Sequence, residues 1–310
     1  MQLQKASRKK VKIKVGIQGP AGSGKTIGAL MIAYGITNDW GKIAVIDTEN
    51  ESASLYVNRT IQNDVTIGEF LTIPLKPPYS PENCMLAIDT CLKSEDVEVI
   101  IFDSISHEWN GLGGILDIES QMGTMNQMQK WMKLTPRHNK FVDKILHAEK
   151  HMICCMRSKQ DYVMKEQTNS QGRQVVVPEK VGLKAVTKDG LDYEFTLNFD
   201  MDMNNFANVG KDRTALYKGK PEFKISPLIG KEIMNWCALG IDVEPEPKVD
   251  KDELNTLADN STLDSVNLAT AKTAITDCGD YDHMQAAKLK ARLESLQKPK
   301  ETIASVLDEA

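Results

Sequence analysis

Over the first 240 residues, apolar positions fall into short runs separated by polar, glycine-rich or proline-rich stretches. Val11–Ile17 alternates, with Lys12 and Lys14 set between Val11, Ile13 and Val15, which is the two-residue period of a strand. Ile43–Asp47, Phe70–Leu75, Val97–Asp103 and Met152–Met156 are mostly apolar runs too short for helices, and they predict further strands. Tyr193–Phe199 and Phe206–Lys211 predict two more. Between these runs the pattern changes. Ile27–Tyr34 reads as a buried helix, and Pro81 to about Leu92 as a helix after a Pro/Ser-rich turn. Asn126–Lys150 predicts a longer helix with a break near Pro136, and Leu228–Leu239 one that buries Ile233 and Trp236. Strand and helix patterns in alternation predict an α/β fold whose central, mostly parallel sheet is covered by helices.

The pattern changes again near residue 241. Ile241–Lys248 carries two prolines and several acids, the composition of an extended, solvated linker. Residues 251–310 read as two or three short helices. The expected division is a basic N-terminal arm at 1–10, an α/β domain at 11–240, an acidic linker at 241–250 and a small helical region at 251–310.

The most specific chemistry lies between the first strand and the first helix. Gly19 through Thr26 fits G-x-x-x-x-G-K-[ST], the phosphate-binding loop. Gly19, Gly22 and Gly24 let the backbone turn and aim its N–H groups at an anion. Lys25 is placed to reach the β- and γ-phosphates, Thr26 to offer its hydroxyl to Mg²⁺, and the following helix to favour the phosphates with its N-terminal dipole. Gly19, Pro20, Ala21, Gly22, Ser23, Gly24, Lys25, Thr26 and Ile27 are thus the expected contacts of ATP. The strand Val97–Asp103 delivers Asp103 to the carboxyl end of the sheet, where it is expected to hold Mg²⁺ with Thr26. Ile43–Asp47 also ends in acids. Hydrolysis needs a carboxylate to orient and deprotonate water. Glu49 suits that role, while Asp47 sits closer to the sheet and is placed to brace the loop.

Bulk properties narrow the rest. A hydrophobic share of 41% beside 26% charged residues is that of an ordinary globular chain. No apolar run approaches the ~20 residues that span a bilayer, and the basic N-terminus lacks the apolar stretch of a secretory signal. The six cysteines form no C-x-x-C pair and have no histidine cluster, so a reducing, cytoplasmic setting is expected. Net charge is −5, but cations gather at residues 1–14 and 130–150 and acids after Asp242. A polyanion could be held by the core and repelled by the tail.

The order of a phosphate loop, a strand ending Asp-x-Glu, a strand ending Asp-Ser, a strand with a polar tip and a late basic segment resembles the RecA core. With Gly190–Phe195, Asp200–Asp202 and Lys211–Thr214, residues 11–240 resemble compact RecA-like P-loop ATPases of bacteriophages, linked to single-strand annealing recombination. The resemblance implies a Mg²⁺-dependent ATP hydrolase that forms a ring or filament with ATP between subunits. It implies that Lys211 and Arg213 touch the neighbour's ATP, and that a residue at the tip of Met152–Met156, here Arg157, senses the γ-phosphate. It also implies loops for single-stranded DNA at about His107–Gln127, with Trp109, and Gln160–Gly182, with Tyr162, Lys165, Arg173 and Lys180. Recombination or replication proteins are the implied partners, with no membrane involved. A nucleotide-dependent switch that recruits proteins and a hexameric helicase-like motor are the alternatives. The series Met122, Met125, Met128, Met132 has near-helical spacing and reads as a core or subunit-contact face.

Overall fold

Every residue of Ile43–Asp47 (β2) and of Val99–Asp103 (β6) is buried, as their mostly apolar sequences require of strands covered on both faces. The computed structural model describes residues 5–61, 65–168, 174–241, 251–277 and 283–296. The first strand, Lys14–Gly19 (β1), leads through the phosphate loop into helix Lys25–Thr37 (α1). After β2 come a small hairpin, Thr60–Ile61 (β3) with Val65–Thr66 (β4), and strand Leu71–Pro74 (β5). Helix Pro81–Lys93 (α2) has proline in its first turn, and Ser80 accepts the Asn83 N–H at 3.2 Å. Two short helices, Ser106–Asn110 (α3) and Ile115–Gln121 (α4), follow β6 and precede helix Gln127–Leu146 (α5). Then come strands His151–Thr168 (β7), Gln174–Ala185 (β8), Leu197–Met201 (β9) and Ala207–Asp212 (β10), and helix Pro227–Ala238 (α6).

The sheet runs β10-β9-β1-β7-β6-β2-β5, parallel except for β10, with β8 paired to β7. One strand, β7, therefore lies between the strand that feeds the phosphate loop and the strand that ends in Asp103. This is the expected α/β architecture, a mostly parallel sheet covered by helices, with the phosphate loop at the carboxyl end of β1. Strand alternation sorts the core into two layers. Val15, Ile17, Val45, Ile101, Ile153 and Phe199 face α1 and α6, while Ala44, Ile46, Phe102, Cys154 and Met156 face α2 and α5.

Three expectations need correction. The segment expected as a loop at Gln160–Gly182 is largely a β-ribbon, because β7 continues past the sheet and Ser158–Thr168 pairs antiparallel with Gln174–Ala185. Arg173 lies outside the described residues, as does the linker after Ile241. Helix α5 runs through Pro136 without a break. Pro136 lies on the exposed side, so the carbonyl that loses its N–H partner can be met by water. In the methionine series, Met128 and Met132 are 76% and 69% exposed, so of the two readings of that face, core and subunit contact, it is the core one that is corrected.

Residues Met1–Ile241 and Asp242–Ala310 form separate compact units. In the first, the chain before β1 is tied to the end of α6. Arg8 donates to the carbonyls of Trp236 and Leu239, both at 2.9 Å, and lies 4.8 Å from the Trp236 ring. The second contains helices Lys251–Asp259 (α7), Ser265–Asp277 (α8) and His283–Glu294 (α9), whose small core includes Leu254, Ala258, Ile275 and Leu293. Among the described residues no helix is long and apolar enough to cross a membrane.

Two features yield stability tests. Helices α1 and α6 cross so closely that a Cβ on Gly230 would stand 2.1 Å from the Ile32 carbonyl oxygen. Gly230→Ala should destabilise the chain by about 1–3 kcal/mol in chemical denaturation, because backbone cannot yield as a side chain can. His151 is buried, accepts the Ile13 N–H at 3.1 Å, and is pushed down to about 3 by burial and then by Lys12 and Lys14. Between that value and ~6.5 the unfolded chain binds a proton that the folded chain refuses, so stability falls as pH falls. His151→Asn keeps an acceptor and does not titrate. Its unfolding free energy should fall less steeply from pH 6 to pH 4 than the parent's, by up to about 1.4 kcal/mol per pH unit.

Candidate active site

The phosphate loop takes its shape from its glycines. Gly22 and Gly24 both have φ of 82°, where a side chain would be strained, and a Cβ on Gly24 would meet the Asn205 amide nitrogen at 3.0 Å. Helix α1 starts at once, with the Gly28 N–H on the Gly24 carbonyl at 2.8 Å. The loop therefore ends at a fresh helix N-terminus. Lys25 folds back, its Nζ donating to the Pro20 carbonyl at 2.8 Å, while the buried Ser23 hydroxyl has no partner among the described residues. The Asn205 amide nitrogen lies 3.4 Å from the Gly22 carbonyl. It comes from the β9–β10 turn, where Asp202 accepts the N–H groups of Asn204 and Phe206.

Strand register brings the acids to this loop. Asp47 and Asp103 are direct partners across β2 and β6, and Arg157 is the partner of Gly19 across β7 and β1. The Thr26 hydroxyl donates to Asp103 Oδ2 at 2.5 Å. Burial pushes the Asp103 carboxyl up to about 6, against the pull of the Thr26 bond. These oxygens, one hydroxyl and one carboxylate on facing elements, fit a hard divalent cation. Asp47 accepts the N–H groups of Glu49 at 2.6 Å and Ala53 at 2.9 Å, which shapes the turn that carries Glu49. Glu49 Oε1 receives Arg157 Nε at 2.7 Å. Burial raises the Glu49 carboxyl, but the hydrogen bond and charge of Arg157, with smaller help from His107 and Lys25, hold it below its ordinary value.

Three residues that sequence reading passed over fasten this arrangement. Thr48, between Asp47 and Glu49, is 2% exposed. Its N–H donates to the Asp103 carbonyl at 2.8 Å, its hydroxyl receives the Ser104 N–H at 2.8 Å, and the His107 Nδ1 lies 2.7 Å away. Tyr79 stacks on His107 at 5.0 Å, and its hydroxyl reaches the Thr48 carbonyl at 3.3 Å. Burial and then the Arg157 charge lower the His107 imidazole. A threonine in an acidic turn and a histidine four residues past a strand carry no local signal; only pairing of β2 with β6 joins them.

A pocket of about 360 Å³ opens from the loop. Thr26, Glu49, Asp103 and Arg157 border it, and Tyr56 and Ile61, with Met31, Met201 and Ile225, add apolar lining. Lys211 and Arg213 are not part of it. Lys211 pairs with Asn198 on β9, level with Gly16, roughly 10 Å short of the loop along the strands. Arg213 is exposed, whereas the Lys211 ammonium is turned inward and lacks a partner among the described residues. Burial, and then the Arg213 charge, lower that amine. Of the two segments expected to hold DNA, His107–Gln127 is largely helical, and Trp109 is packed at 5.9 Å on Trp131 and 5.2 Å from His138. Nothing is described for the side chains of Tyr162, Lys165 and Lys180.

A family model described as an AAA domain matches residues 11–224. No curated protein matches the sequence. Among solved structures, a KaiC-like protein from the hyperthermophilic archaeon Pyrococcus horikoshii OT3 covers 69% of this chain and 86% of its own, at 15% identity and a TM-score of 0.38.

The clamp at Thr48 can be tested on its own. Thr48→Val keeps the shape and leaves the buried Ser104 N–H without its acceptor. Chemical denaturation should show a loss of about 1–3 kcal/mol, and Thr48→Ser should recover most of it.

Proposed function

This chain belongs to the AAA domain family, and on that footing we propose that it is a Mg²⁺-dependent ATP hydrolase that works as an oligomer on single-stranded DNA. The observation that carries the catalytic half is the meeting of Thr26 and Asp103 at 2.5 Å with Glu49 and Arg157 at the same pocket. In this reading the N–H groups of Gly22 to Thr26 cradle the phosphates, and Lys25 leaves the Pro20 carbonyl to meet them. Thr26 and Asp103 hold Mg²⁺, which supplies charge neutralisation at the phosphates when bound. Glu49 orients and deprotonates the attacking water. Arg157 faces the terminal phosphate, and the apolar residues from Tyr56 to Ile225 take the base.

The oligomeric half rests on Arg213 and Lys211. Neither borders its own pocket, and Arg213 is free to meet a neighbour's nucleotide, where a cation would offset charge on the transferring group. Lys211 joins it if its side chain turns outward on assembly. The DNA half draws support from the β7–β8 ribbon, which leaves the sheet at the nucleotide end and carries Lys159, Lys165, Lys180 and Lys184 against Asp161, Glu166 and Glu179. A setting in phage recombination or replication rests on the sequence resemblance alone.

Turnover and nucleotide binding measured on variants test the catalytic assignment. Lys25→Ala should lose ATP binding. Glu49→Gln should retain binding and lose turnover by about 10²- to 10⁴-fold. A Glu49→Gln protein that hydrolyses ATP within about threefold of the parent would remove Glu49 from the reaction and the reading with it.

A further inference from the structure

Arg157 and Glu49 are both assigned to the same nucleotide, yet in this structure each is occupied by the other, with Nε 2.7 Å from Oε1. A carboxylate that accepts a guanidinium proton has given up part of its capacity to accept one from water. A guanidinium held by a carboxylate is likewise not available in full to a phosphate. Both residues border the pocket, and their side chains are 44% and 28% exposed, so a ligand entering the pocket can reach the pair.

The backbones on either side cannot shift easily. The Arg157 N–H is held by the Ser106 hydroxyl at 2.9 Å and its carbonyl by the Val186 N–H at 2.7 Å. The Glu49 N–H is held by Asp47. A change of partner is therefore a change of side-chain rotamer about fixed anchors. The electrostatics favour one direction. A terminal phosphate carries about two negative charges and three acceptor oxygens against one charge on the carboxylate, so at like distance it attracts the guanidinium roughly twice as strongly. A nucleoside diphosphate also ends in such a phosphate, but at the β position, and brings no third phosphate to the pair.

We propose that Arg157 selects triphosphate over diphosphate by exchanging Glu49 for the terminal phosphate, and that this exchange releases Glu49. The proposal rests on the ATP-site reading above and deepens it: the carboxylate stays masked until the nucleotide that needs it has arrived. Glu49 and the nucleotide are then competitors for one cation, and removing the first should help the second.

The test is equilibrium affinity for AMP-PNP and for ADP, each with Mg²⁺, by titration calorimetry on the full chain. The proteins are the parent, Glu49→Gln, Arg157→Met and the double variant. Glu49→Gln should tighten AMP-PNP roughly tenfold and leave ADP within about twofold, and the gain should vanish when Arg157 is Met. ADP binding by every variant serves as the check that the pocket is folded. Equal tightening of both nucleotides, a gain that persists without Arg157, or no gain at all would each overturn the exchange. In the first two cases the effect is only the removal of a negative charge. A parent that binds neither nucleotide would instead overturn the ATP-site reading itself.

Discussion

Parallel pairing of β2 with β6 sets Asp47 beside Asp103 in a buried sheet end, and that juxtaposition is the constraint on which the rest of the site is built. Carboxylates brought together away from water repel one another and lose hydration. Each is met by a specific donor. Asp47 receives backbone N–H groups of the turn that follows it, Asp103 the Thr26 hydroxyl, and Glu49 the Arg157 guanidinium. Thr48 then locks the two strand ends together, so that Glu49 and Asp103 cannot drift apart independently. The pocket is electrostatically poised because its acids are held close by packing that they would not choose themselves.

A second polar region lies on the face of the sheet that also carries Gly16. Gln18, Asn198 and Lys211 each have a buried atom without a partner among the described residues, and Gln18 and Asn198 share the Asp200 carboxylate. A Cβ on Gly16 would collide with the Asn198 amide, so glycine is needed there to admit the polar side chain. Unmet buried donors and acceptors cost free energy and call for a reason. Lys211, whose ammonium has no partner among the described residues, is the cation proposed above to serve a neighbouring subunit.

Much of the nucleotide end was legible in the chain because its signals are local. Glycine at fixed positions, a lysine and a hydroxyl at the start of a helix, and acids at the ends of apolar strands are each written within a few residues. Strand β2 was legible to its last residue, since an unbroken apolar run bounded by polar turns has no other stable use in a short segment. The ribbon was not legible, because residues 158–185 are polar and rich in Gly, Ser and Gln, and their strand identity comes from pairing with each other. The start of β9 was placed too early, as Leu191–Tyr193 forms a turn of 3₁₀ helix before the strand begins at Leu197. The break expected at Pro136 failed for a tertiary reason: the proline sits on the solvent side of its helix.

The chain by itself determined the α/β alternation, the phosphate loop and the acids that face it, because hydrophobic period and glycine placement act over distances of a few residues. Tertiary structure decided which acid meets which cation. That Arg157 holds Glu49 and that Thr48 bolts β2 to β6 both follow from strand order and register. Those are properties of contacts between residues 50 to 110 positions apart or more, and no local pattern encodes them.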